Sequence, residues 1–186
     1  MAMSVISGRL QQFGFLLLAA VLGLVGCSIS PPDGVTPVAP FELERYLGKW
    51  YEIARLDHSF ERDLDNVTAQ YSVRPDGHVE VINSGFDQET GERKEAVGIA
   101  KPVGEPGEGS LKVSFFRPFY SGYHVVALDN EYQWAMVIGQ SRKYFWILAR
   151  QPELPAGVRE QLLEQAAGLG IDVPALIWVD QGRHGG

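Results

Sequence analysis

A chain of 186 residues with 45% hydrophobic and 11% aromatic side chains can fill the core of one domain, and no low-complexity tract marks it as disordered. Its net charge of −7 argues against a nucleic-acid binder, which would carry a basic face. The single cysteine, Cys27, excludes a disulfide framework within the chain.

Arg9 is the one charged residue in the first 26, and Phe13 to Val25 is an apolar run of 13. A membrane-spanning helix needs about 20 such residues, so this run reads as the hydrophobic stretch of an export signal. Residues 1–26 are the predicted signal peptide, and their removal takes the net charge from −7 to −8 because only Arg9 is lost. The run ends in Leu24-Val25-Gly26-Cys27. This resembles the lipobox of bacterial lipoproteins, in which the cysteine is lipidated on its thiol and becomes the new N-terminus. The plain alternative is an ordinary cleavage site that falls before a cysteine. Ser28 follows Cys27 where the resemblance would need Asp for inner-membrane retention, which implies passage to the outer membrane. One acyl chain anchors only marginally at about 0.8 kcal/mol per buried CH₂, so the several chains of such lipoproteins make a stable anchor. An acylated Cys27 leaves no thiol for a metal site or for nucleophilic catalysis. Residues 27–40, with Pro31, Pro32, Pro37 and Pro40, read as an extended tether.

The domain is placed at 41–180, followed by a tail at 181–186. Residues 41–46 suit one helical turn closing a barrel end. Gly48 then turns the backbone into a first strand at 50–56, opened by Trp50. Val67, Ala69, Tyr71 and Val73 alternate with polar residues along 66–73. Asp76-Gly77 is a hairpin signal leading into 79–84. Strands at 92–100, with Gly98 marking a bend, and at 111–115 follow. Residues 116–122 read as an aromatic loop. Three more strands, at 123–128, 132–138 and 144–150, are apolar on both faces. Short connections make neighbours antiparallel, so eight strands with no helix between them give an up-and-down β-barrel or a sandwich. Val158, Leu162, Ala166 and Leu169 form one stripe of a helix over 155–169 that covers the outside of the sheet, before a final strand at 175–179.

Three motifs carry a family resemblance. Gly48-Lys49-Trp50 opens the first strand, Asp129-Asn130-Glu131-Tyr132 lies in a late turn, and Arg150 ends Trp146-Ile147-Leu148-Ala149-Arg150. Together, in this order and on these elements, they resemble the lipocalins, and the segments 46–55, 112–116 and 122–129 resemble bacterial members in particular. The resemblance implies an all-β, eight-stranded antiparallel barrel with one C-terminal α-helix packed outside. It implies that Arg150 lies over Trp50 at the closed end as a cation–π pair worth roughly 0.5–2 kcal/mol. It also implies lipid anchoring to the outer membrane, facing the periplasm. Homodimers occur in the family, and the sequence leaves the oligomeric state open.

The motifs of common enzymes are absent: no G-x-S-x-G, H-E-x-x-H, C-x-x-C or glycine-rich phosphate loop. His58, His78, His124 and His184 lie far apart, none with a second ligand at metal spacing, so neither a metal nor a cofactor is expected. Glu52 on an apolar strand reads first as a satisfied structural acid, and otherwise as a general acid or a proton-linked switch. Binding suits the composition better, because small barrels hold one small ligand. Alternation points Ala54, Val67, Ala69, Tyr71, Val79, Val81, Val113 and Phe115 inward. Arg117 and Tyr120, beside Phe116 and Phe119, are the expected headgroup contacts at the open end. The expected ligand is a fatty acid or lysophospholipid. The alternative is an enzyme of the same fold acting on an oxidised lipid or pigment, and a third reading is a purely structural barrel with a filled interior.

Overall fold

The computed structural model describes residues 29–182. A short helix α1 (Leu43–Tyr46) precedes eight strands: β1 (Gly48–Arg55), β2 (Leu64–Val73), β3 (Val79–Asp87), β4 (Arg93–Pro102), β5 (Ser110–Phe116), β6 (Phe119–Leu128), β7 (Trp134–Gly139) and β8 (Phe145–Ala149). Helix α2 (Val158–Gly168), a 3-10 turn at Val173–Ala175 and a two-residue strand β9 (Ile177–Trp178) complete the chain. Every neighbouring pair is antiparallel, and β1 pairs with both β2 and β8, so the sheet closes into a barrel. Closure gives each of these eight strands a neighbour on both sides, with β1 and β2 paired only from Gly48 with Tyr71 to Tyr51 with Thr68. β9 adds to the outside of β1 through Ala54 with Trp178 and Arg55 with Ile177.

The strand expectations hold in number and order, with bounds shifted by a few residues and the final strand shortened to Ile177–Trp178 behind the 3-10 turn; two larger differences concern the aromatic run and the helix. β6 begins at Phe119, so the expected aromatic loop at 116–122 is a two-residue hairpin turn, Arg117-Pro118, between paired Phe116 and Phe119. The Ser and Gly of this run read as a loop in sequence, but cross-strand pairing keeps them extended. The helix begins at Val158 and not at 155, because Gly157 ahead of it takes a left-handed φ of 80°.

Two apolar clusters divide the interior. One lies outside the barrel wall, where Leu162 and Ala166 of α2 pack with Ile53, Ala54, Met136, Ile138, Phe145 and Ile147. This explains why β7 and β8 are apolar on both faces. The other fills the closed end with Tyr46, Trp50, Val79, Val81, Leu111, Val125, Val137 and Leu148. At its base the Arg150 guanidinium stands 3.9 Å from the Trp50 ring centroid. Arg150 also donates to the carbonyls of Lys49 (2.8 Å), Arg45 (2.7 Å) and Tyr132 (3.2 Å), while Trp50 Nε1 donates to the Tyr46 carbonyl at 2.7 Å. Gly48 turns the chain at φ 92°, a backbone conformation that residues with a Cβ rarely adopt, and a Cβ there would only touch Arg150 Nη1 at 3.4 Å. Asp129 caps the late turn by accepting from the backbone N–H groups of Glu131 (3.0 Å) and Gln133 (3.1 Å).

Gly98, paired with Val81, sits under the Phe115 ring: an added Cβ would lie 2.8 Å from Phe115 and 3.0 Å from the Ser114 carbonyl oxygen. The ring can swing away but the carbonyl cannot. Gly98→Ala is therefore expected to cost about 1–3 kcal/mol, read as a lowered midpoint in thermal unfolding; an unchanged midpoint would mean that the bend at Gly98 yields freely.

Candidate functional site

Above the filled floor the barrel encloses a cavity of about 530 Å³, open between the β1–β2, β3–β4 and β5–β6 connections. This volume falls within the usual range for small-molecule sites. Its walls carry Val67, Ala69, Tyr71, Val81, Val113 and Leu148, and its rim carries Phe60, Phe115, Phe116 and Phe119. Of the residues expected from alternation, Ala69, Tyr71, Val81, Val113 and Phe115 are thus brought together along one cavity, while Val79 is part of the packed floor.

Three expected contacts are placed elsewhere. Ala54 faces outward under α2, because a β-bulge between Glu52 and Ala54 reverses the side-chain parity of β1. Arg117 occupies the tip of the β5–β6 hairpin outside the cavity lining. Tyr120 lies on the outer face, with Lys112 Nζ 5.2 Å from its ring centroid. The cation among the described lining residues is instead Lys94 on β4, whose Nζ is 2.9 Å from Glu92 Oε2. It sits exposed at the rim in the polar run Arg93-Lys94-Glu95, where sequence alone gives no sign that one lysine borders the cavity.

The same bulge has a second effect. Glu52 and Arg55, three apart on one strand, would ordinarily face opposite ways, yet both turn inward and are buried. Arg55 Nη1 donates to Glu52 Oε1 at 2.7 Å, and Nη2 donates to the carbonyls of Glu61 (2.6 Å) and Leu64 (3.1 Å). Glu61 Oε2 accepts from Trp146 Nε1 at 2.9 Å and lies 3.0 Å from His58 Nε2. Both carboxyls reach the cavity wall. Burial, and then the neighbouring Glu61 charge, raise the Glu52 carboxyl well above its ordinary 4.5. Burial also raises Glu61, but the hydrogen bonds from His58 and Trp146 outweigh it and bring the net value down. The two buried carboxyls are thus pushed in opposite directions, Glu52 toward its neutral form and Glu61 toward its anion. Sequence reasoning named Glu52 but missed its partners, because the bulge that assembles them leaves no signal in residue type.

Deeper still, three tyrosine hydroxyls form a chain, Tyr46 to Tyr123 at 2.7 Å and Tyr123 to Tyr71 at 2.8 Å. Burial pushes all three hydroxyls upward, so the floor presents neutral hydrogen-bonding groups. His124 is apart from the cavity lining, with Nδ1 3.0 Å from Ser110 Oγ. Among the described residues no three His, Cys, Asp or Glu side chains are grouped to hold a metal. Cys27 and His184 lie outside the described residues.

The family model for a lipocalin-like domain matches residues 41–181, the whole barrel and its C-terminal segment. This chain belongs to the lipocalin family. Among its relatives, this lipocalin is 50% identical over 163 residues to the outer membrane lipoprotein Blc of Escherichia coli strain K12, covering 88% of this chain and 92% of that protein. It is also 50% identical over 168 residues to the outer membrane lipoprotein Blc of Vibrio cholerae, covering 90% and 97%. Among solved structures, insecticyanin from the tobacco hornworm Manduca sexta superposes with a TM-score of 0.65 at 21% identity, covering 83% of this chain and 87% of that one. At that identity the likeness concerns the fold.

Proposed function

We propose that this lipocalin is a lipoprotein of the outer membrane, anchored through acylated Cys27, that holds the chain of a fatty acid or lysophospholipid in its barrel. The observation that supports this most is the cavity itself: blind at the Trp50 floor, apolar along its walls, and with Lys94 near its open end. Burying about 15 methylenes releases on the order of 12 kcal/mol. Losing the free motion of the ligand costs about 4–15 kcal/mol. A long chain is thus held where the ordering cost falls in the lower part of that range, and a short one, with fewer methylenes to bury, is held less well. The relatives named as outer membrane lipoproteins support the same location for this chain.

Native mass spectrometry of the chain lacking residues 1–27, followed by lipid extraction, tests the reading. One fatty acid or lysophospholipid per barrel is expected, and a barrel that stays empty across a lipid panel would refute it. The Lys94→Glu variant is expected to weaken a fatty acid by roughly three- to tenfold, the scale of one exposed ion pair, and to leave a monoacylglycerol unchanged. Equal losses for both ligands would remove Lys94 from the headgroup position.

A second reading draws on the Glu52 carboxyl, raised by burial at the cavity wall: an enzyme acting on an oxidised lipid or pigment, with Glu52 as its acid. Turnover abolished in Glu52→Gln with binding intact would favour it.

A further inference from the structure

The open end carries an apolar surface that the cavity does not consume. Phe116 and Phe119 are 76% and 61% exposed at the tip of the β5–β6 hairpin, and their rings stack at 6.3 Å with 5° between planes. The two residues between them are Arg117 and Pro118, so one cation stands at the tip between two exposed rings. Across the mouth Phe60 is 58% exposed. Exposed rings around a cavity entrance are costly in water and are suited to an apolar partner.

The course of the N-terminal segment supplies the second, independent observation. Phe41 N–H donates to the Gly107 carbonyl (2.7 Å) in the β4–β5 connection at the closed end, and the segment then passes β6, where Val38 N–H donates to the Val125 carbonyl (2.8 Å). Arg142, in the β7–β8 connection at the open end, donates to the Asp33 carbonyl at 2.8 Å. The Ile29 carbonyl oxygen lies 3.2 Å from where a Cβ on Gly122 would stand. Gly122 is three residues from Phe119, about 10 Å along a strand. Cys27 precedes Ile29 by two residues, which reach at most about 7 Å. The chain therefore enters the barrel beside its mouth, and at the hairpin that carries the exposed rings.

We propose that the open end of the barrel faces the bilayer, with Phe116 and Phe119 entering the boundary between headgroups and acyl chains and Arg117 among the phosphates, so that the cavity opens onto the membrane to which Cys27 is tied. This rests on the anchor proposed above. Arg117 stands at the tip between two rings, and its long stem lets the guanidinium snorkel back to the phosphates while the rings meet the apolar boundary. The net charge of −8 after signal removal gives no overall attraction to an anionic surface, so contact is confined to this tip. The occupant of the apolar rim is thus a phospholipid surface, and ligand exchange takes place across it without passage through water.

The test uses the full lipidated chain in vesicles of phosphatidylethanolamine and phosphatidylglycerol, with Cys27 acylated and one introduced thiol carrying an environment-sensitive fluorophore. Phe119→Cys is compared with Asp76→Cys in the β2–β3 turn at the closed end. Arg117→Cys repeats the readout at a side chain outside the cavity lining. Quenching by nitroxide-bearing lipids is expected to be roughly threefold or more stronger at 119 and 117 than at 76, given the shallow depth of interfacial contact. Equal quenching at all positions, with the chain still on the vesicles, would overturn the orientation and leave the anchor standing. A chain that leaves the vesicles would overturn the anchor and the orientation with it. A label at 119 already shielded in dilute detergent, with a dimeric mass, would show that a second copy covers the rim and would also overturn the proposal.

Discussion

Trp50→Ala is expected to destabilise the barrel by about 3–5 kcal/mol, a large share of the total stability of a domain of this size. Three losses combine at one position. The ring is fully buried, so its removal leaves a void at the closed end. The Tyr46 carbonyl loses the indole donor at 2.7 Å, and the Tyr46 ring loses a neighbour at 4.7 Å. The Arg150 guanidinium loses the ring beneath it at 3.9 Å, although its three carbonyl partners remain. Urea unfolding followed by circular dichroism measures the effect as a lowered midpoint. Trp50→Phe keeps the apolar plug and should cost less. A loss below about 1 kcal/mol for the alanine variant would mean that the closed end collapses around the gap, and that Trp50 is not what holds it.

Arg55→Met is expected to cost about 3–5 kcal/mol, because removing one partner of a buried ion pair strands the other. Here it leaves the Glu52 carboxyl without its guanidinium at 2.7 Å and the Glu61 and Leu64 carbonyls without their donor. Glu52→Gln behaves differently. If the proton rests on Glu52, glutamine reproduces a neutral side chain that still accepts from Arg55 Nη1, and the change is close to neutral at pH 7. The pH dependence separates the two further. A carboxyl raised on folding favours the folded state below its ordinary 4.5, and that contribution is lost as pH rises through the raised value. The parent chain should lose stability along that rise, and Glu52→Gln should show a smaller slope. Equal destabilisation by Arg55→Met and Glu52→Gln would place the proton elsewhere and would make Glu52 the counter-ion.

Particular residues show what was legible in the sequence. The eight strands could be read because Val67, Ala69 and Tyr71 alternate cleanly and because turn residues punctuate the chain. The pair of Trp50 and Arg150 could be read because its motif is local at each end. Ala54 could not be placed, since one extra residue in β1 flips every later side chain to the other face. Arg55, joined to Glu52 by that flip, is invisible to any period-two pattern. Lys94 and Arg117 were distinguished by register alone: one borders the cavity on β4, the other rides a turn, and residue type treats them alike. Long-range register, not composition, decides which charged group meets the cavity.

The seam between β1 and β2 has a consequence for how the molecule is made. Direct pairing runs only from Gly48 with Tyr71 to Tyr51 with Thr68. Above it the two strands part, and the last described residues bridge them. Asp180 accepts from the Asn66 N–H at 2.8 Å, Val179 N–H donates to Ile53 at 3.0 Å, and Gln181 Nε2 donates to the carbonyls of Glu52 (2.7 Å) and Val67 (2.9 Å). A ribosome delivers these residues after every strand of the barrel. The growing chain thus lacks the latch that fastens its first two strands until every strand of the barrel has been made, and pairing of β1 with β8 waits for β8, the last of the eight. A chain that crosses a membrane as a thread gains from this order, because the shape that would jam the passage cannot be completed before the tail arrives.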